Sequence, residues 1–304
     1  MERLERHALS RLLAGLLLLA MVTAQAAAEP IKAIWIWEND TFRLLDDAGW
    51  REQVLDRLAD DGFNTLYVYA DSFEGRAPIV DEPERYAMLI AAARDKGFRV
   101  EALLGSAYLE TNRYVMPEYS EDARAMLQRV LDYNAAAPEN GRFDAIQLDI
   151  EPYTLDEWDE DRMQVSEWFA AAAARWRAQV GNLILGAAIP FWFERVEYGE
   201  GTLAESLQLT FDYVALMDYR DEAGGNDGII RHAGDEVILA SKLGRKVIIG
   251  VETDTADLDK LTFFEEGRLA MESALEEVHE AYAAEPGFGG IAIHHLRSYL
   301  PLRD

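Results

Sequence analysis

Phe143-Asp144-Ala145-Ile146-Gln147-Leu148-Asp149-Ile150-Glu151-Pro152-Tyr153 is an apolar run that closes on two carboxylates one residue apart. Its length and bulk predict a buried strand over 144–150, and strand side chains alternate between faces. Asp149 and Glu151 therefore point the same way, with Gln147 below them. Two acids buried side by side are costly unless they are paired or used in chemistry. Seven further short runs rich in β-branched and aromatic residues predict strands over 31–37, 64–70, 98–104, 183–189, 212–218, 246–251 and 289–294.

Between these runs lie amphipathic stretches with apolar residues at helical spacing, over 49–59, 84–96, 120–136, 163–180, 235–243 and 269–284. Gly62, Gly97, Gly181 and Gly244 stand where a helix C-cap would precede the next strand. Strand–helix alternation predicts an α/β fold with parallel strands and crossover helices. Eight units of about 30 residues predict a closed (β/α)8 TIM barrel. No G-x-G-x-x-G follows the first strand, against a dinucleotide-binding sheet. The insertion 106–118, after the third strand, is expected to form part of a cleft wall.

Residues 1–28 read as a cleavable signal peptide, leaving 29–304 as one barrel domain. Arg3, Arg6 and Arg11 form a basic start, an apolar stretch runs from Leu12 to Val22, and Ala24, Ala26 and Ala28 offer small-residue cleavage sites. The expectation is a secreted or periplasmic protein with no membrane attachment after cleavage. The chain has no cysteine, which removes thiol catalysis, thiolate metal sites, disulfides and lipidation of a leader cysteine. A net charge of −27 opposes binding to nucleic acid and to anionic lipid, and suits neutral or cationic substrates.

Barrel enzymes draw their reactive groups from the C-terminal ends of several strands. Those ends carry Trp37 and Glu38, Tyr69, Gln147 with Asp149, Glu151 and Tyr153, Trp192, Met217 with Asp218 and Tyr219, Glu252, and His294. Carboxylates interleaved with aromatic rings suit a sugar: rings take its apolar faces, and carboxylates transfer protons and accept bonds from hydroxyls. A carbohydrate substrate is therefore expected. His294 and His295 are adjacent and so face opposite sides. With no H-x-H or H-E-x-x-H spacing, neither a metal nor another cofactor is expected.

The stretch Asp144-Ala145-Ile146-Gln147-Leu148-Asp149-Ile150-Glu151 resembles the strand-four signature D-G-x-D-x-D-x-E of family 18 glycoside hydrolases, the chitinases and their relatives. Asp144, Asp149 and Glu151 match, while Ala145 and Gln147 replace the Gly and the middle Asp. Met217-Asp218-Tyr219-Arg220 is similar to that family's M-x-Y-D at Met217 and Tyr219. Gly289 to Ile293 resembles its last strand, with His294 in place of the usual Trp, and the strand-three S-x-G-G is absent. The resemblance implies Glu151 as general acid, Asp149 as the group that orients and charge-stabilises the substrate's own acetamido nucleophile, and Tyr219 as a ligand to that group's carbonyl oxygen. A buried acid beside an ionised one has its pKa raised, so it can hold a proton near neutral pH.

Three other readings stand beside it. Glu151 and Glu252, at the ends of strands four and seven, would make a two-glutamate retaining pair if their carboxyls lay about 5–5.5 Å apart. Gln147 and the missing Trp fit a carbohydrate-binding protein on a retired glycosidase barrel. His294 among Asp149, Glu151, Asp218 and Glu252 would suit a metal-assisted hydrolase or deacetylase.

Overall fold

The computed structural model describes residues 30–304, so the expected leader lies outside the described residues. Eight parallel strands, β1 (Ile31–Ile36), β2 (Thr65–Tyr69), β3 (Arg99–Leu104), β4 (Ala145–Leu148), β5 (Ile184–Pro190), β6 (Tyr213–Met217), β7 (Lys246–Glu252) and β8 (Phe288–His294), close into a barrel. Each strand pairs with its neighbours in the chain, and β8 pairs with β1. The longer helices are α1 (Glu38–Asp46), α2 (Ala48–Asp60), α3 (Pro83–Asp95), α4 (Ser120–Ala136), α5 (Arg162–Val180), α6 (Leu203–Thr210), α7 (Ile229–Leu243) and α8 (Arg268–Tyr282). This is the (β/α)8 TIM barrel that the spacing predicts. None of the described helices is long and apolar enough to cross a membrane.

The apolar residues form two cores. Outward strand residues such as Ile34, Val68, Leu148, Val214 and Val251 pack against the helices in the larger one. Inside the barrel, Trp35, Tyr67, Leu103, Tyr213 and Ile248 make the smaller one. Its packing depends on missing side chains: a Cβ on Gly186 would lie 2.1 Å from the Tyr213 ring. Tyr213 uses that room to donate its hydroxyl to buried Glu101, whose other oxygen accepts from Arg99 Nε at 2.6 Å. The barrel floor is thus a neutralised polar layer beneath a half-aromatic interior.

Two of these eight helices lie where no helix is predicted, as do the short helices Pro78–Asp81, Asp156–Glu160 and Leu296–Tyr299. α1 starts directly off β1, with Glu38 and Asp40 in its first turn, where acids meet the positive end of the helix dipole. α6 follows a short antiparallel ribbon (Glu197–Tyr198 with Gly201–Thr202) and is capped by Thr202, which accepts the Glu205 amide at 3.2 Å. Its Thr-x-x-Glu signal is present in the sequence. α7 begins six residues before the expected start, from a tight turn at its N-cap Gly228, where a Cβ would sit 1.9 Å from Gly224 O.

Candidate active site

β4 ends at Leu148, so Asp149 and Glu151 stand just past the strand. Ile150 between them is 2% exposed in the outer core, which keeps both carboxylates on the cleft side. The Asp149 amide bonds Leu104 O at 2.7 Å. That approach requires Gly105, at φ +126°, where a Cβ would fall 2.0 Å from Asp149 O. Gly105→Ala is therefore expected to destabilise the fold by about 2–4 kcal/mol and to displace Asp149. Urea unfolding checks it, and an unchanged midpoint would mean the two backbones do not meet so closely.

Above the pair opens a cleft of about 690 Å³, lined by Trp37, Glu38, Asp149, Glu151, Tyr153, Trp192, Met217, Tyr219 and His294 among others. Nine of the expected site residues thus share one cavity. Ser106, Thr111, Asn112, Thr154, Phe191 and Leu261 also line it. Ser106 is visible in the sequence as the residue closing the third strand; its hydroxyl donates to Glu38 Oε1 at 2.6 Å. The others sit on loops and short 3-10 turns, where no periodicity marks an inward side. The insertion after β3 supplies Ala107, Thr111 and Asn112 to the wall.

Four expected residues are not cleft-lining. Tyr69 is fully buried and donates its hydroxyl to Ser72 O at 2.7 Å. Gln147 is fully buried in register between Leu103 and Gly186, and neither its amide nitrogen nor its oxygen has a partner among the described residues. Asp218 points outward, as alternation between inward Met217 and Tyr219 demands, and lies 3.0 Å from His232 Nδ1 on α7. Glu252 is tied down: Oε1 accepts the Thr253 and Asp254 amides at 2.7 and 2.8 Å, and Oε2 lies 2.7 Å from His294 Nδ1. The family-matched Asp144 sits at the opposite end of β4, accepting from Arg94 and from the Val100 amide.

The electrostatics single out Asp149. Burial first, then repulsion from Glu151, pushes its pKa up to about 8, with His294 acting in the opposite sense. One of its oxygens is buried without a hydrogen-bond partner among the described residues. The two carboxylates titrate as one pair, and burial with their mutual repulsion favours keeping a proton on it. Glu151 Oε1 accepts a short hydrogen bond from the Tyr153 hydroxyl. The wall beyond is braced by rings: Trp192 meets Tyr153 edge-on at 5.4 Å and Trp158 at 5.9 Å. Of the two adjacent histidines, His294 lines the cleft, while His295 lies 3.5 Å from Asp254. Among the described residues no three His, Asp or Glu side chains are grouped to hold a metal ion.

A further buried acid is Glu236 on α7. It is 2% exposed, and neither carboxylate oxygen has a partner among the described residues. Burial, then the Glu194 charge, raises its pKa to about 8. The folded state keeps this proton where the unfolded chain, with the ordinary value of 4.5, releases it. Stability is therefore lost as pH rises from about 4.5 to about 8. Glu236→Gln is expected to raise Tm by several degrees at pH 8.5 and little at pH 4.5; equal shifts at both would count against a buried ionisation.

No protein-family model and no curated protein matches the chain. Solved structures do resemble it. An exo-β-1,4-mannosidase from Opitutaceae bacterium strain TAV5 superposes with a TM-score of 0.55 at 15% identity, over 89% of this chain and 52% of that one. The present chain thus spans about half the length of the mannosidase. A GH18 chitinase from Cycas revoluta in complex with (GlcNAc)3 gives 0.51 at 14% identity, over 86% and 94%. A class V chitinase from Nicotiana tobaccum in complex with NAG4 gives 0.52 at 11%, over 88% and 94%. At these identities the likeness establishes the fold alone, a (β/α)8 TIM barrel.

Proposed function

We propose that the protein is a glycoside hydrolase with Glu151 as general acid, acting on a carbohydrate that contains N-acetylhexosamine. The observation that carries this is the Asp149/Glu151 pair at the base of a cleft walled by Trp37, Tyr153, Trp192 and Tyr219. One member of the pair holds a proton across neutral pH. Its structural neighbours include chitinases crystallised with oligosaccharides of N-acetylglucosamine, which supports the substrate class.

In this mechanism Glu151 protonates the glycosidic oxygen as the C1–O bond breaks. The carbonyl oxygen of the substrate's acetamido group attacks C1 from the other side, with Asp149 and Tyr219 placed to orient it. Water then attacks C1, passes its proton to Glu151 carboxylate, and frees the acetamido group. The proton that the pair holds across neutral pH is the one Glu151 delivers, and the proton taken from water restores it to the pair. The two-glutamate route is disfavoured, because a nucleophile needs a free oxygen facing the sugar and both Glu252 oxygens are engaged. On the leader pattern of residues 1–28 we place the enzyme outside the cytoplasm, as a secreted or periplasmic protein.

The test is a screen of wild type and Glu151→Gln against chromogenic N-acetylglucosaminides, other glycosides and exopolysaccharides. Cleavage by wild type alone is the expected result. If wild type cleaves nothing while both forms bind a glycan, the chain is a binding protein on a retired barrel.

A further inference from the structure

We propose that Glu252 is a positioning residue that acts through His294 to fix the Trp37 indole as a flat cleft wall, leaving the ring face, and not its N–H, to the ligand. The inference rests on reading this cleft as the sugar site. Its basis is a hydrogen-bonded chain across three adjacent strands at the barrel seam. Trp37 follows β1, His294 ends β8 and Glu252 ends β7, with Glu252 and His294 paired in register.

The polarity of the chain is fixed at both ends. Trp37 Nε1–H can only donate, and His294 Nε2 receives it at 2.9 Å. That nitrogen must then carry a lone pair, so the proton of the neutral ring sits on Nδ1 and points at Glu252 Oε2, 2.7 Å away. Glu252 is held in turn by two backbone amides on Oε1. With its N–H consumed, the indole offers the cleft a π face, the surface on which an apolar sugar face packs.

Protonation breaks the chain. A second proton on His294 occupies Nε2, and two N–H groups then face each other. The groups around the ring are Glu252 from β7, Asp149 and Glu151 from the end of β4, Tyr219 after β6 with ring centres 5.9 Å apart, Trp35 and Trp37 from β1, and His295 beside it. Burial pushes the pKa of His294 down, but the Glu252 hydrogen bond and charge, followed by Asp149 and Glu151, outweigh it and leave the pKa above the ordinary 6.5. Falling pH through that range should therefore release Trp37, and rising pH should restore the tether.

An amide at position 252 tests the relay with almost no change of shape. Both backbone N–H groups bind one oxygen, so Glu252→Gln keeps its carbonyl there and turns its NH2 toward His294 Nδ1. The ring must then accept at Nδ1 and carry its proton on Nε2, where it meets the Trp37 donor. The experiment is proton–nitrogen NMR of indole-labelled protein, with the Trp37 signal assigned through Trp37→Phe. In wild type that signal is expected in the hydrogen-bonded, exchange-protected position at high pH and to move toward a free indole as pH falls. In Glu252→Gln it is expected at the free position throughout, with KM raised roughly tenfold and kcat changed less than about twofold. The wild-type titration decides the matter by itself if the variant does not fold. A Trp37 signal that ignores both pH and the substitution, in an enzyme that cleaves glycans, overturns the relay and leaves the hydrolase standing. A signal that responds in a protein that cleaves none keeps the relay and removes the hydrolase.

Discussion

Glu151→Gln is expected to lower kcat/KM on any glycan the wild type cleaves by about 10³-fold, with binding of that glycan and Tm nearly unchanged. A glutamine has the shape of the acid but no proton to deliver, so the leaving oxygen must depart as an alkoxide. Binding survives because the walls are aromatic rings from other strand ends, Trp37 from β1 and Trp192 after β5. The short bond from the Tyr153 hydroxyl can be accepted by an amide oxygen, so the fold has little reason to change. Steady-state kinetics beside calorimetric titration of the same oligosaccharide separates the two effects.

Asp149→Asn is expected to cost about 10²–10³-fold in kcat and to alter the pH dependence of both activity and stability. Asp149 holds its proton up to about pH 8 because burial, then Glu151, disfavours its charge. In the wild type, activity should therefore fall as pH rises through about 8, and in the asparagine variant, with the repulsion within the pair gone, that limb should move to lower pH. Stability has the same sign. The folded state keeps a proton that the unfolded chain sheds near the ordinary value of 3.8, so the wild type loses stability as pH rises from about 4 to about 8. The variant escapes the loss and should gain roughly 2–4 °C in Tm at pH 8.5. A variant less stable than wild type at that pH would show that Asp149 is paired rather than strained by its burial.

Much of the site was legible because period-two alternation and strand ends are local properties. Asp149 and Glu151 share a face since one residue separates them, and Ile150 is buried behind, as the pattern requires. The same rule, applied strictly, excludes Asp218: with Met217 and Tyr219 inward, its neighbour must face α7. Other outcomes depended on partners distant in sequence. Glu252 looks like a free acid at a strand end, yet the two amides after it and a histidine 42 residues away engage both of its oxygens. Tyr69 is an aromatic at a strand end like Trp37, but it ends fully buried with its hydroxyl spent on Ser72 O, while α1 carries Glu38 to the cleft. Gln147 was legible as a break in the acidic ladder. Its burial without a partner shows how completely the charge beneath Asp149 has been removed, since an amide tolerates such a position better than a carboxylate.

The central claim, that Asp149 and Glu151 hydrolyse a glycosidic bond, is most directly tested by incubating wild type and Glu151→Gln with N-acetylated and non-acetylated oligosaccharides in ¹⁸O-labelled water and following the products by mass spectrometry. The account predicts time-dependent new reducing ends carrying one label, released by wild type from the N-acetylated series and not by the variant. Oligosaccharides bound by both proteins and recovered intact and unlabelled from both would contradict it.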